Sequence, residues 1–147
     1  MKELVGKILT GIDIDASNQE YLTVHTTEGD FNYAAEGDCC SHSYFSEIMG
    51  VSFLDGEHKV KAVESIDLGA GVRKKDSDEE VRVYGIRLLF NDDGWSTESM
   101  IIVFRNSSNG YYGGSCELIA SIPATKEKYE GSEIPIKMVK VESDFSL

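Results

Sequence analysis

No stretch of this chain is apolar for long enough to cross a bilayer, and that is the first of several absences that narrow its nature. A spanning helix needs about 20 consecutive apolar residues. No window of the 147-residue sequence approaches that length. The opening segment MKELVGKILTGIDID carries Glu3 and Asp13 and lacks the uninterrupted apolar core of a secretory signal. Proline-rich or single-residue tracts and internal repeats are also missing, which argues against wholesale disorder. Cysteine is scarce and odd in number, three in all, and Cys39 and Cys40 are neighbours whose disulfide would close a strained small ring. A reducing compartment fits that usage. The expectation is one soluble, cytoplasmic domain spanning residues 1–147, a length sufficient to bury a single core.

Bases are the other shortage. Fourteen Lys and Arg stand against 26 Asp and Glu, for a formal charge of −12. Such a surface repels phosphate backbones, so nucleic acid is excluded as an ordinary partner and a protein with a basic surface is preferred. The plainer reading is that surplus acid keeps a small protein soluble.

What the sequence does contain is alternation. Residues 4–15 and 20–27 read as strands, with Leu22, Val24 and Thr26 on one face and Tyr21, Thr23 and His25 on the other. Turn residues at 16–19 and 28–30 lead into a third strand at 31–35, a meander. Further strands are expected at 59–68, 81–90, 96–104, 116–122 and 134–141. The pair 81–90 and 96–104 is joined by Asn91-Asp92-Asp93-Gly94, a hairpin signal. MIIVF at 100–104 is apolar on both faces and suits a central strand. One helix is expected at 41–49, where Tyr44, Phe45, Ile48 and Met49 share a helical face, Asp38 or Ser41 serves as N-cap and Gly50 ends the element. The predicted class is α+β, mainly antiparallel sheet with one short helix packed on it.

Two polar stretches stand out. The first, Asp38-Cys39-Cys40-Ser41-His42, would sit at the start of that helix, where the dipole lowers a thiol's pKa and favours anions. His42 as base for Cys39 or Cys40, oriented by Asp38, would make a Cys-dependent hydrolase or transferase. A zinc site from Cys39, Cys40, His42 and Cys116 matches no usual ligand spacing, and no metal or cofactor is assigned. The competing structural reading buries one cysteine as a small hydrophobe and uses Asp38 and Ser41 as caps. The second stretch follows MIIVF: Arg105, Asn106, Ser107, Ser108, Asn109, Gly110, Tyr111 and Tyr112. Its glycine and short polar side chains suit an anion-binding nest, its tyrosines suit stacking on a base, and Arg105 suits a two-point clamp on phosphate. Equally, it reads as a hairpin loop built on Asn-Gly. His25 and His58 have no ligand-spaced partner and receive no role.

Acids gather at Asp76, Asp78, Glu79 and Glu80, within the charged loop GAGVRKKDSDEE, and at Asp92 and Asp93. They bracket one strand of about ten residues, roughly 30 Å long, and are expected to form two separate patches.

With these residues quoted, EGDCCSHSYF (36–45) followed by IVFRNSSNGYYGG (102–114) resembles a family of small, functionally uncharacterised phage and prophage proteins over residues 4–118. The resemblance implies a genomic setting rather than a reaction. Phage proteins of this size often act stoichiometrically on host machinery, so the leading expectation is a non-catalytic inhibitor of a host defence or nucleic-acid-handling protein, acting through acidic surface. A binder of nucleotide-like molecules, with the two polar stretches meeting in space, is the alternative, and a Cys-dependent enzyme the third.

Overall fold

Strand after strand pairs with its neighbour in this chain, and the described residues hold no helix longer than a 3-10 turn. The computed structural model describes residues 1–37, 41–70, 80–91, 98–108, 113–120 and 138–146. Ten strands result: β1 Leu9–Asp15, β2 Tyr21–Thr26, β3 Gly29–Gly37, β4 His42–Met49, β5 Ala62–Ala70, β6 Glu80–Leu89, β7 Ser99–Ser108, β8 Gly114–Ala120, β9 Met138–Lys140 and β10 Phe145–Ser146. They form two antiparallel five-stranded sheets, ordered β8-β3-β2-β1-β9 and β10-β4-β7-β6-β5. Among the described residues no helix is long and apolar enough to cross a membrane.

Alternation explains the layering. Leu22 and Val24 on β2, Ile12 and Ile14 on β1 and Tyr33 and Ala35 on β3 face one interior, which Phe45, Ile48, Ile86, Leu88, Ile102 and Phe104 of the second sheet share. One side chain of this size, fully buried, contributes about 1.5–3 kcal/mol. The expected meander is β1 to β3, and the expected hairpin is the ten-pair ladder of β6 and β7, from Glu80↔Ser108 to Leu89↔Ser99. MIIVF lies in β7, at the centre of the second sheet.

The α+β expectation is overturned at residues 41–49, which form β4 rather than a helix. A β-bulge accounts for the misreading. Phe45 pairs with Phe104 and Glu47 with Val103, so Ser46 is an extra residue in the ladder. The bulge stretches the spacing of inward residues from two to three, and Phe45 and Ile48 both reach the core across what looks like one helical turn. The layer expected to be helical is instead supplied by the first sheet. Gly50 does terminate the element, with φ +90°; a Cβ there would stand 2.8 Å from the Ser99 carbonyl oxygen.

Candidate functional site

Along β7 the inward-facing residues run Met100, Ile102, Phe104, then Asn106 and Ser108. The core therefore turns polar at one end of the sandwich. Antiparallel register brings the start of β4 to the same place, with His42 opposite Ser107 and Ser43 opposite Asn106. Asn106 is wholly buried, and its Nδ2 donates to Ser41 Oγ at 3.1 Å and Ser43 Oγ at 2.8 Å. Ser43 Oγ donates in turn to the Glu36 carbonyl at 2.9 Å. Asn106 Oδ1 is buried with no hydrogen-bond partner among the described residues.

This knot fits because two glycines face each other across β3 and β8. Gly37 pairs with Gly114. A Cβ on Gly37 would come 2.5 Å from Ser41 Oγ and 2.7 Å from Asn106 Nδ2, and one on Gly114 would come 2.5 Å from Ser43 Oγ. Any larger residue would displace the serines and asparagine that tie the sheets together. Beside the glycine pair lie two polar clefts, of about 350 Å³ lined by Glu20, Ser41, His42 and Ser43 and of about 420 Å³ lined by Glu36, Gly113 and Ser115.

The two polar stretches thus meet through their described members, Ser41 and His42 with Asn106 and Ser107. Asp38, Cys39, Cys40, Asn109, Gly110, Tyr111 and Tyr112 lie outside the described residues, as do Asp76, Asp78, Glu79, Asp92 and Asp93. The strand ends that flank them are informative. Gly37 and Ser41, Ser108 and Gly113, and Glu80 belong to one end of the sandwich, since Gly37 pairs with Gly114, Glu80 with Ser108 and His42 with Ser107. The β6–β7 connection that carries Asp92 and Asp93 starts from the other end of that ladder, at Leu89↔Ser99.

Individual roles change in this setting. Arg105 points to the opposite face of β7 from Asn106, where Nη2 donates to Glu47 Oε1 at 2.7 Å and Nε to Ser46 Oγ at 3.2 Å. Its guanidinium is hydrogen-bonded at the bulge. His42 is 53% exposed, meets Glu20 Oε1 at 3.2 Å and stacks on Tyr44 at 5.3 Å. The helix N-terminus that was to activate Cys39 or Cys40 does not exist, because the residues after them form a strand. Cys116 packs against the core, and burial, with the Glu117, Glu3 and Glu36 carboxylates, pushes its thiol up to about 12 against the opposing pull of the Met1 amino group. It is a protonated small hydrophobe at neutral pH. Among the described residues no group of three or more His, Cys, Asp or Glu is placed to hold a metal. Glu80 lies 3.9 Å from Arg82 Nε.

Sequence reasoning missed His25. Its Nδ1 meets Asp30 Oδ1 at 2.8 Å and its Nε2 meets Asp13 Oδ2 at 3.0 Å. The signal lay in the hairpins: the β2–β3 register sets His25 opposite Asp30, and β1–β2 sets it beside Gly11, two residues from Asp13. Three carriers on adjacent strands need no sequence spacing to meet.

Among known proteins, the model of a family described as a domain of unknown function, DUF7448, matches residues 2–118. No curated protein and no solved structure matches the chain.

Proposed function

Since the chain belongs to the DUF7448 family over residues 2–118, we propose that it is a non-catalytic binding protein of phage or prophage type, working in the host cytoplasm. Its partner is a host defence or nucleic-acid-handling protein with a basic surface, and it acts by stoichiometric inhibition. The observation that carries this reading is that the described ends of three strand connections, Gly37 and Ser41, Ala70 and Glu80, and Ser108 and Gly113, lie at one end of the two-sheet scaffold. Connections held by a sandwich are where such folds place recognition. The described strand ends beside those connections carry Glu36 and Glu80, and the sequence of the connections adds Asp38, Asp76, Asp78 and Glu79, in a chain of charge −12. Acids set at intervals imitate a phosphate backbone and suit a basic channel.

The test is capture of the host target followed by affinity measurement at low and high salt. Affinity is expected to fall at least about tenfold with screening, and to fall again in a variant carrying Asp76→Lys, Asp78→Lys and Glu79→Lys. Affinity indifferent to both changes would end the electrostatic reading.

Capture of a nucleotide-like molecule in the polar clefts beside Gly37 and Gly114 is the second reading, favoured by the meeting of the two stretches and opposed by the engagement of Arg105 with Glu47. A thermal shift against a nucleotide panel reads it, since ligand at ~100 times Kd stabilises by ~2.7 kcal/mol.

A further inference from the structure

We propose that the C-terminal segment 138–146 is an exchangeable strap, and that two copies of the chain pair by docking it in trans, each onto the other's β1 and β4 edges. Within one chain the segment runs along one long side of the sandwich. β9 adds to the β1 edge, with Asp13↔Lys140, Ile14↔Val139 and Asp15↔Met138, and β10 adds to the β4 edge, with Phe145↔Ile48 and Ser146↔Glu47. A strand at a sheet edge presents backbone groups to whatever strand arrives, and one donated by another molecule satisfies them as well as one from the same chain.

The side chains of the strap define its partner. The Val141 N–H donates to the Ile12 carbonyl at 2.8 Å, the Val141 side chain is buried in the core, and Phe145 packs against that core. Lys140 stands opposite Asp13, an opposite-charge pair across the ladder. Asp144 Oδ1 accepts hydrogen bonds from the Gly50 and Val51 N–H groups. The edges therefore select a base followed by an apolar residue, then an acid and an aromatic at the spacing of Lys140, Val141, Asp144 and Phe145. A second copy of the chain presents that pattern in full.

Two observations make the strap separable from the body it covers. Its ladders are short beside the one that joins β6 to β7. The link that carries it also has length to spare. Ala120, Asn32, Thr23, Asp13 and Lys140 lie in one register row across the first sheet, from β8 at one edge to β9 at the other. Four strand spacings make that crossing roughly 19 Å, whereas residues 121–137, fully extended, reach about 60 Å. Such a link can deliver the strap to a neighbour. Within one molecule it holds the strap at an effective concentration on the order of millimolar, so exchange gains as the chain approaches that concentration or when the crossing is blocked. This pairing does not depend on the inhibitory role proposed above.

The test mixes equal amounts of heavy-isotope-labelled and unlabelled full chain, unfolds them and refolds them together at ~1 mM. Dimer isolated by size exclusion is treated with a carbodiimide, which joins the Asp13 carboxylate to the Lys140 amine, and the linked peptides are read by mass spectrometry. Mixed-isotope Asp13–Lys140 links are expected to make up about half of such links in the dimer, as random exchange requires. A second protein lacks residues 123–135. Its shortened link reaches only about 17 Å, too little for the crossing, and it is expected to be dimeric even at ~10 μM, where the parent chain is monomeric. A parent chain that stays monomeric at ~1 mM, a dimer in which every Asp13–Lys140 link is single-isotope, or a folded deletion variant that remains monomeric overturns the proposal. Should the deletion variant fail to fold, the isotope pattern of the parent dimer decides.

Discussion

His25 shows how a side chain acquires a property that its own sequence neighbours do not confer. Burial by itself would lower its pKa, but the hydrogen bonds it donates to Asp13 and Asp30, together with the two negative charges, leave it above the ordinary 6.5. Folding therefore favours the charged ring. Its contribution to stability is fully present below the unfolded value of about 6.5 and is lost as pH rises through the higher folded value. Thermal melts across pH are expected to show His25→Gln furthest below the parent protein in acid and closest to it in alkali. A gap that stayed constant with pH would mean that the ring is neutral between the carboxylates. Gly114 makes a steric counterpart. Gly114→Ala sets a methyl carbon 2.5 Å from Ser43 Oγ, and overpacking of this kind costs roughly 1–3 kcal/mol. Adding Ser43→Ala is expected to return part of that loss, with a coupling of about 0.5–3 kcal/mol in urea denaturation. Strict additivity would show that the two positions do not collide.

Single elements were legible to different depths. β2 was readable because its pairing with β3 has no interruption, from Tyr21↔Ala34 to Thr26↔Gly29. β4 was not. Its bulge at Ser46 inserts one residue, and the local pattern of apolar residues then satisfies a helix as well as a strand. What excludes the helix is the partner: β7 offers a row of backbone groups along which residues 42–49 make pairs. The C-terminal strand is placed by a side chain as well as by its ladder. Asp144 Oδ1 accepts hydrogen bonds from the Gly50 N–H at 3.0 Å and the Val51 N–H at 2.8 Å, at the start of the 3-10 turn Val51–Phe53. Asp144→Ala is expected to cost roughly 0.5–2 kcal/mol, as loss of a cap does. Hydrogen exchange should quicken at Gly50 and Val51 while the β6–β7 ladder keeps its protection. Unchanged exchange at both amides would remove Asp144 from this role.

Across the full chain, charge and architecture act together. With 26 acids and 14 bases, the folded state carries repulsion that the unfolded chain relieves by expanding. Raising salt shortens the Debye length from about 30 Å at 0.01 M to about 8 Å at 0.15 M. The melting temperature is expected to rise over that interval in scanning calorimetry. A fall would mean that pairs such as Arg105 with Glu47 outweigh the surplus.

Composition and period settle much of this molecule in advance. They specify antiparallel strands, the meander, the hairpin of β6 and β7 and the central place of MIIVF, because a half-buried strand writes its inward face into every second residue. They also single out two polar stretches as unusual, although not their relation. Folding joins Ser41 and Ser43 to Asn106, opposes Gly37 to Gly114, turns Arg105 toward Glu47 and sets His25 between two aspartates. Each of those contacts crosses between strands, and outside the hairpins the register that makes them depends on which strands pair and how the two sheets pack, which the period within a single strand does not show.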